Sequence, residues 1–163
     1  MREPKPIKGA KALLFERLVD EDPYTPGEAQ PFRIYGVAGL RASVGQELMR
    51  LLNTRCPRLG GPPNEMERTV LDYGIPNFSH LAATSDTDAH QLARTLERTI
   101  AIYEPRLRHV RVTIEPSRMK QTAVVGSIEG MLMVGSVNEP VSFPLVLSLK
   151  SGEVVLLESS DQG

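Results

Sequence analysis

The hydrophobic pattern changes period near the middle of the chain. Leu92, Leu96, Ile100 and Tyr103 recur at spacings of four, four and three, which puts them on one helical face. Beyond Leu107, Val110, Val112 and Ile114 alternate with Arg111, Thr113 and Glu115, the period of a half-buried strand. Pro105 supplies the cause of the change: its ring disfavours helical backbone at Glu104, and its missing N–H cannot continue a helical ladder. Tyr103-Glu104-Pro105-Arg106-Leu107 is therefore a forced corner, with a carboxylate and a guanidinium two residues apart on stiff backbone.

The pattern predicts a long helix from about Ser85 to Tyr103, with Ser85 as N-cap and Asp86 and Asp88 at its positive end. Arg94, Glu97 and Arg98 read as its solvated face. An earlier stripe of Val44, Leu48, Leu51 and Leu52 predicts an amphipathic helix from near Arg41 to Asn53, with Ser43 and Gln46 as a capping box. Leu14, Phe15 and Leu18 predict a short first helix over residues 12–19, followed by a solvated loop at 20–27. Residues 32–35 read equally as a brief strand or as extended chain. Residues 54–63, with Gly60, Gly61, Pro62 and Pro63, cannot sustain a helix or a central strand. A helical turn within 65–72 and a corner at 73–78 precede the long helix.

Three further strands are expected after the corner, at 123–134, 141–149 and 153–158, with Lys150, Ser151 and Gly152 closing a hairpin between the last two. Phe143, Leu145, Leu147 and Leu149 share one face of the third of these four strands, and Pro144 points to an edge position or a bulge there. The order of elements predicts an α+β fold: a small antiparallel or mixed sheet of about four strands with helices packed on one face. Residues 1–11, with Arg2, Lys5, Lys8 and Lys11 among Pro4, Pro6 and Gly9, are expected to form an irregular, flexible basic tail. Residues 12–158 are expected to form one domain, and 159–163 a second flexible tail.

Composition narrows the function classes. The chain has 163 residues, no Trp and 5% aromatic residues, so its core is aliphatic and offers no stacking platform for bases or sugars. A net charge of -1 gives no general attraction to nucleic acid or acidic membrane. One cysteine, Cys56, excludes an intrachain disulfide and fits a reducing cytoplasm, and His80, His90 and His109 lack zinc-site spacing. Neither a secretory signal nor a membrane span is expected.

No phosphate-binding glycine loop, nucleophile elbow or metal-protease motif is present. Cys56 reads as a loop thiol, since a nucleophile needs an activated thiolate and its neighbours Pro57 and Arg58 belong to no cysteine-nucleophile signature. Glu104 with Glu97 or Glu129 is a formal carboxylate pair for glycoside hydrolysis. A general acid must hold its proton at working pH, however, and Arg106 and Arg108 favour the ionised form of Glu104. The residues thus predict no catalytic group, cofactor or metal site. They predict an interaction site at Glu104, Pro105, Arg106 and Leu107, suited to bidentate pairing within the fold or across an interface.

Five segments, in order, carry a family resemblance: Leu14-Phe15-Glu16-Arg17-Leu18, Leu51-Leu52-Asn53-Thr54-Arg55, Asp72-Tyr73-Gly74-Ile75-Pro76, Tyr103-Glu104-Pro105-Arg106-Leu107 and Ile128-Glu129-Gly130-Met131-Leu132. The chain resembles the GPW family of contractile-phage baseplate wedge proteins, to which the TssE components of bacterial type VI secretion systems are related. Two features depart from the family: Ile75 and Asn77 stand where it usually has Leu and Asp, and the loop at Gly60 to Pro63 is longer than its core needs. The resemblance implies an α+β fold and a non-enzymatic role at the cytoplasmic face of the inner membrane. Its implied partners are the wedge proteins TssF and TssG, TssK, the VgrG spike and the TssB/TssC sheath, whose polymerisation it would template. The alternative is a peptidoglycan hydrolase, a label some members carry from a phage name.

Overall fold

A computed structural model describes residues 10–11, 34–57, 69–82, 84–116, 122–134 and 137–157. The helix expected at 12–19, the loop at 20–27, the glycine-proline run at 60–63 and the tail at 159–163 lie outside the described residues. Two short strands, β1 (Ala10–Lys11) and β2 (Ile34–Tyr35), pair antiparallel. The last two residues of the expected tail therefore join a ladder, because Ile34 and Tyr35 supply a partner strand that the tail's composition does not reveal.

Helix α1 spans Val37–Asn53 and buries Leu40, Val44, Leu48, Leu51 and Leu52 along one stripe. It starts before the expected Arg41, and the Ser43–Gln46 capping box is corrected: Ser43 lies inside the helix and is buried. Gly36 is the N-cap, using no side chain, and its carbonyl accepts from Leu40 N–H at 2.9 Å. Leu40 extends the apolar stripe one turn earlier, and burial of that turn holds the helix start that a side-chain cap would otherwise mark.

Helix α2 spans Asp86–Tyr103 and ends where Pro105 requires. Ser85 Oγ accepts from Asp88 N–H at 3.2 Å, confirming the expected cap, and Leu92, Leu96 and Ile100 are buried. Arg94 and Arg98 are exposed as expected. Glu97 departs from the solvated reading, because its Oε1 accepts from Val112 N–H at 2.9 Å.

The main sheet is antiparallel in the order β3-β4-β5-β6, with β3 Leu107–Glu115, β4 Ala123–Val134, β5 Val137–Ser148 and β6 Val154–Leu156. One face carries Val112, Ile128, Leu132, Phe143, Leu145, Leu147 and Val154, which join both helices in a single buried cluster. The opposite face exposes Val125, Glu129, Ser142 and Val155. A bulge between Arg108 and Arg111 resets the side-chain alternation, letting both Leu107 and Val112 point inward; His109 takes φ 52° there. Gly130 is required opposite the bulge, since a Cβ would come within 2.9 Å of the Leu107 side chain and 3.0 Å of Arg108 O.

Pro144 marks where β5 passes from interior to edge: β6 pairs only with Leu145–Leu147, and from Val137 to Pro144 β5 pairs with β4 alone among the described strands. Pro144 O accepts from Leu157 N–H at 2.8 Å, but the proline has no N–H to return, so the β5–β6 register stops at Leu145 and Leu156. Helix side chains cover groups along the outer edges. Asn53 bonds both backbone groups of Val154, with Nδ2 donating to its carbonyl at 2.8 Å and Oδ1 accepting from its N–H at 2.9 Å. Leu156 N–H donates to Met49 Sδ, and Glu97 serves Val112 on β3. Such edge groups otherwise template pairing with another chain.

Candidate interaction site

The corner after α2 is built by its own sequence. Pro105 leaves Glu104 at φ -123°, ψ 76°, where its N–H still closes on Ile100 O at 2.8 Å and its carbonyl accepts from Leu107 N–H at 3.1 Å. The chain turns within one residue of the helix end and enters β3 with Leu107 buried. Arg106 O accepts from Met133 N–H at 3.0 Å, tying the corner to β4.

Glu104 and Arg106 pair within this turn. Arg106 Nε donates to Glu104 Oε1 at 2.8 Å and Nη2 to Oε2 at 2.6 Å, a bidentate fork, and the Arg106 backbone N–H adds a third bond to Oε1 at 3.2 Å. Glu104 is 3% exposed. Arg106 Nη1 donates to Ser43 Oγ at 2.8 Å, joining the corner to α1. The pair left open by the sequence, internal or intermolecular, is thus internal in the folded chain. Pro105 is exposed on the outside of the turn, and the Arg106 side chain is mostly buried.

A second buried acid stands beside the corner. Asp72 ends a short 3-10 turn, Val70–Asp72, and its Oδ2 accepts from Thr69 N–H and Oγ1 at 2.8 and 3.0 Å. Tyr103 Oη donates to Asp72 O at 2.8 Å, and the Tyr73 ring meets Tyr103 edge-on at 5.3 Å. Burial raises Tyr73 above its ordinary phenolic range, and the nearby Glu47 carboxylate adds to the rise. Sequence reasoning missed Ser43 and Asp72 as parts of this site. Ser43 gave a misleading cap signal, while Asp72 carried only its place in Asp72-Tyr73-Gly74-Ile75-Pro76.

Both Glu104 oxygens accept from Arg106 and the residue is almost wholly buried, so this carboxylate faces the fold and is not presented to a sugar. Glu129 is exposed on the open sheet face, away from the helix side where Glu97 bonds β3. Among the described residues no group of three His, Cys, Asp or Glu side chains is placed to hold a metal. His80, His90 and His109 are exposed on separate elements, and Cys56 Sγ lies 3.6 Å from Leu71 O. No helix among the described residues is long and apolar enough to cross a membrane.

The family model described as baseplate wedge protein gp25 matches residues 38–135, more than half of the chain. This stretch runs from α1 through the corner to the end of β4. No curated protein matches the chain. Among solved structures, a chain in the baseplate complex from the type VI secretion system is 20% identical, with 74% of this chain and 95% of that chain covered and a TM-score of 0.48. A tail-lysozyme candidate from Geobacter sulfurreducens is 16% identical, with 78% and 98% covered and a TM-score of 0.49. The family assignment rests on the wedge model and not on these two likenesses.

Proposed function

Because the chain belongs to the baseplate wedge protein gp25 family, we propose that it is a structural component of a contractile baseplate, in the place TssE-like proteins hold in type VI secretion. The observation that carries this reading is the family match across α1, α2, β3 and β4. In this role the chain binds the wedge proteins TssF and TssG, meets TssK and the VgrG spike, and gives the TssB/TssC sheath its first surface. It works at the cytoplasmic face of the inner membrane and catalyses no reaction.

The corner fits such a role as a stiff interface post. Arg106 is pinned by Glu104 and Ser43, so exposed Pro105 and the small part of the Arg106 side chain left at the surface meet a partner without first losing conformational freedom. Strand addition from sheath subunits is the companion mechanism. At β6 an incoming strand must displace Asn53 from Val154, which makes that addition conditional on assembly rather than spontaneous.

Co-purification of the full chain with TssF and TssG tests the reading. The unaltered protein should be retained, and Pro105→Glu should weaken retention at least tenfold with its melting curve unchanged. Turnover of purified peptidoglycan that disappears when a single acid is replaced would overturn it in favour of a hydrolase.

A further inference from the structure

Arg55 stands two residues beyond the end of α1, and its guanidinium is oriented without being neutralised. Nη1 donates to Leu52 O at 2.9 Å, and Cζ lies 5.0 Å from the centroid of the Phe78 ring. The backbone around it is fixed, because Cys56 N–H bonds Ile75 O and Ile75 N–H bonds Thr54 O, each at 2.9 Å. Among the described residues no carboxylate reaches this guanidinium. Partial burial draws Arg55 below its ordinary value, with no acid opposing the shift.

Arg55 lines an open cleft of about 460 Å³ together with Asn77, Ser79, Lys150, Ser151 and Gly152. The second cation arrives on a separate element, the β5–β6 hairpin turn. That turn is held by Gly152 N–H on Ser148 O at 2.8 Å and Ser151 N–H on Ser148 Oγ at 3.2 Å. Asn77 brings an amide whose Oδ1 already accepts from Ser79 N–H at 3.0 Å. The described walls therefore hold two positive charges, an amide and two hydroxyls, with no negative charge among them.

We propose that this cleft receives the carboxylate of an Asp or Glu side chain from another protein. The planar guanidinium fork suits the two oxygens of a carboxylate, and Lys150, which lines the same cleft, adds a point charge. The space is within the range of pockets that enclose organic groups, and so has room for a side chain with its backbone. Among the described residues that line the cleft, none is an acid that could fill the position from within. The inference goes beyond the wedge reading and does not depend on it.

Amide NMR on the isotope-labelled full chain tests the proposal, using a capped Gly-Gly-Glu-Gly-Gly peptide, its Gln counterpart and inorganic phosphate at matched ionic strength. The Glu peptide should produce saturable shifts at Ser79, Ser151, Gly152 and Arg55 Nε–H, and the Gln peptide should bind about tenfold more weakly. Lys150→Gln, at an exposed turn, should weaken the Glu peptide severalfold, and Asn77→Asp should suppress it by placing an acid of the chain itself in the cleft. Equal binding of the two peptides, absence of saturable shifts in the cleft, saturation by phosphate at lower concentration than by the Glu peptide, or undiminished binding in either variant would overturn the assignment.

Discussion

Arg106 and Arg55 both stand just beyond the end of a helix, and the fold treats their charges in opposite ways. Arg106 follows α2 by three residues and is closed inward, with both oxygens of Glu104 and the Ser43 hydroxyl around it. Arg55 follows α1 by two residues and is left open, held by a carbonyl and a ring beside a second cation. The difference lies in the neighbouring residue types. Glu104-Pro105-Arg106 carries its own counter-charge on a turn tight enough to bring the two together, whereas Asn53-Thr54-Arg55 carries none. A closed pair makes a rigid post; an open cation keeps its electrostatic attraction for whatever docks.

The largest test of this contrast is Glu104→Ala. Removing the acid strands a guanidinium whose side chain is only 14% exposed, and breaking a pair so buried costs about 3–5 kcal/mol. Urea unfolding measures it, and a loss below about 1 kcal/mol would put the corner among ordinary surface pairs. Asn53→Ala comes next. It leaves both backbone groups of Val154 without their partner, with an expected loss of about 1–3 kcal/mol. The bared β6 edge should also associate with itself at high protein concentration, which sedimentation would detect.

On the open side the prediction is near silence. Lys150→Gln should alter stability by less than about 0.5 kcal/mol, because no described carboxylate compensates the charge. A larger loss in the same urea experiment would reveal a structural tie and close the contrast from the other end. The smallest effect concerns pH. Tyr73 is raised in the folded chain by burial first and by Glu47 next, so the unfolded chain loses this proton at lower pH. The stability it contributes is fully present below the ordinary phenol value of about 10 and is lost as pH rises from there through the folded value. Tyr73→Phe should flatten that alkaline loss in denaturation midpoints measured from pH 8 to 12.

Much of the fold was legible because its signals are local. Leu92, Leu96 and Ile100 mark a helical face wherever the helix packs, and Pro105 ends that helix by sterics alone. The start of α1 was not legible in this way, since Gly36 caps it through a backbone carbonyl and leaves no side-chain signature. Glu97 has the pattern of a surface residue and becomes an edge cap only because β3 folds back beside α2. Pro144 signalled an edge correctly in place, but for only part of the strand: it ends the β5–β6 ladder, and Leu145–Leu147 beyond it lie inside the sheet.

The sequence by itself determined the switch from helix to strand, the corner that brings Glu104 and Arg106 together, and the family to which the chain belongs. These depend on residues a few positions apart, where covalent geometry limits the choices. Tertiary structure alone decided that Ser43 completes the corner, that Asn53 reaches Val154 across 101 positions, and that Arg55 and Lys150 face one cleft. Contacts at that separation follow from how the buried faces pack together, and no local pattern of side chains encodes where such packing brings two polar groups.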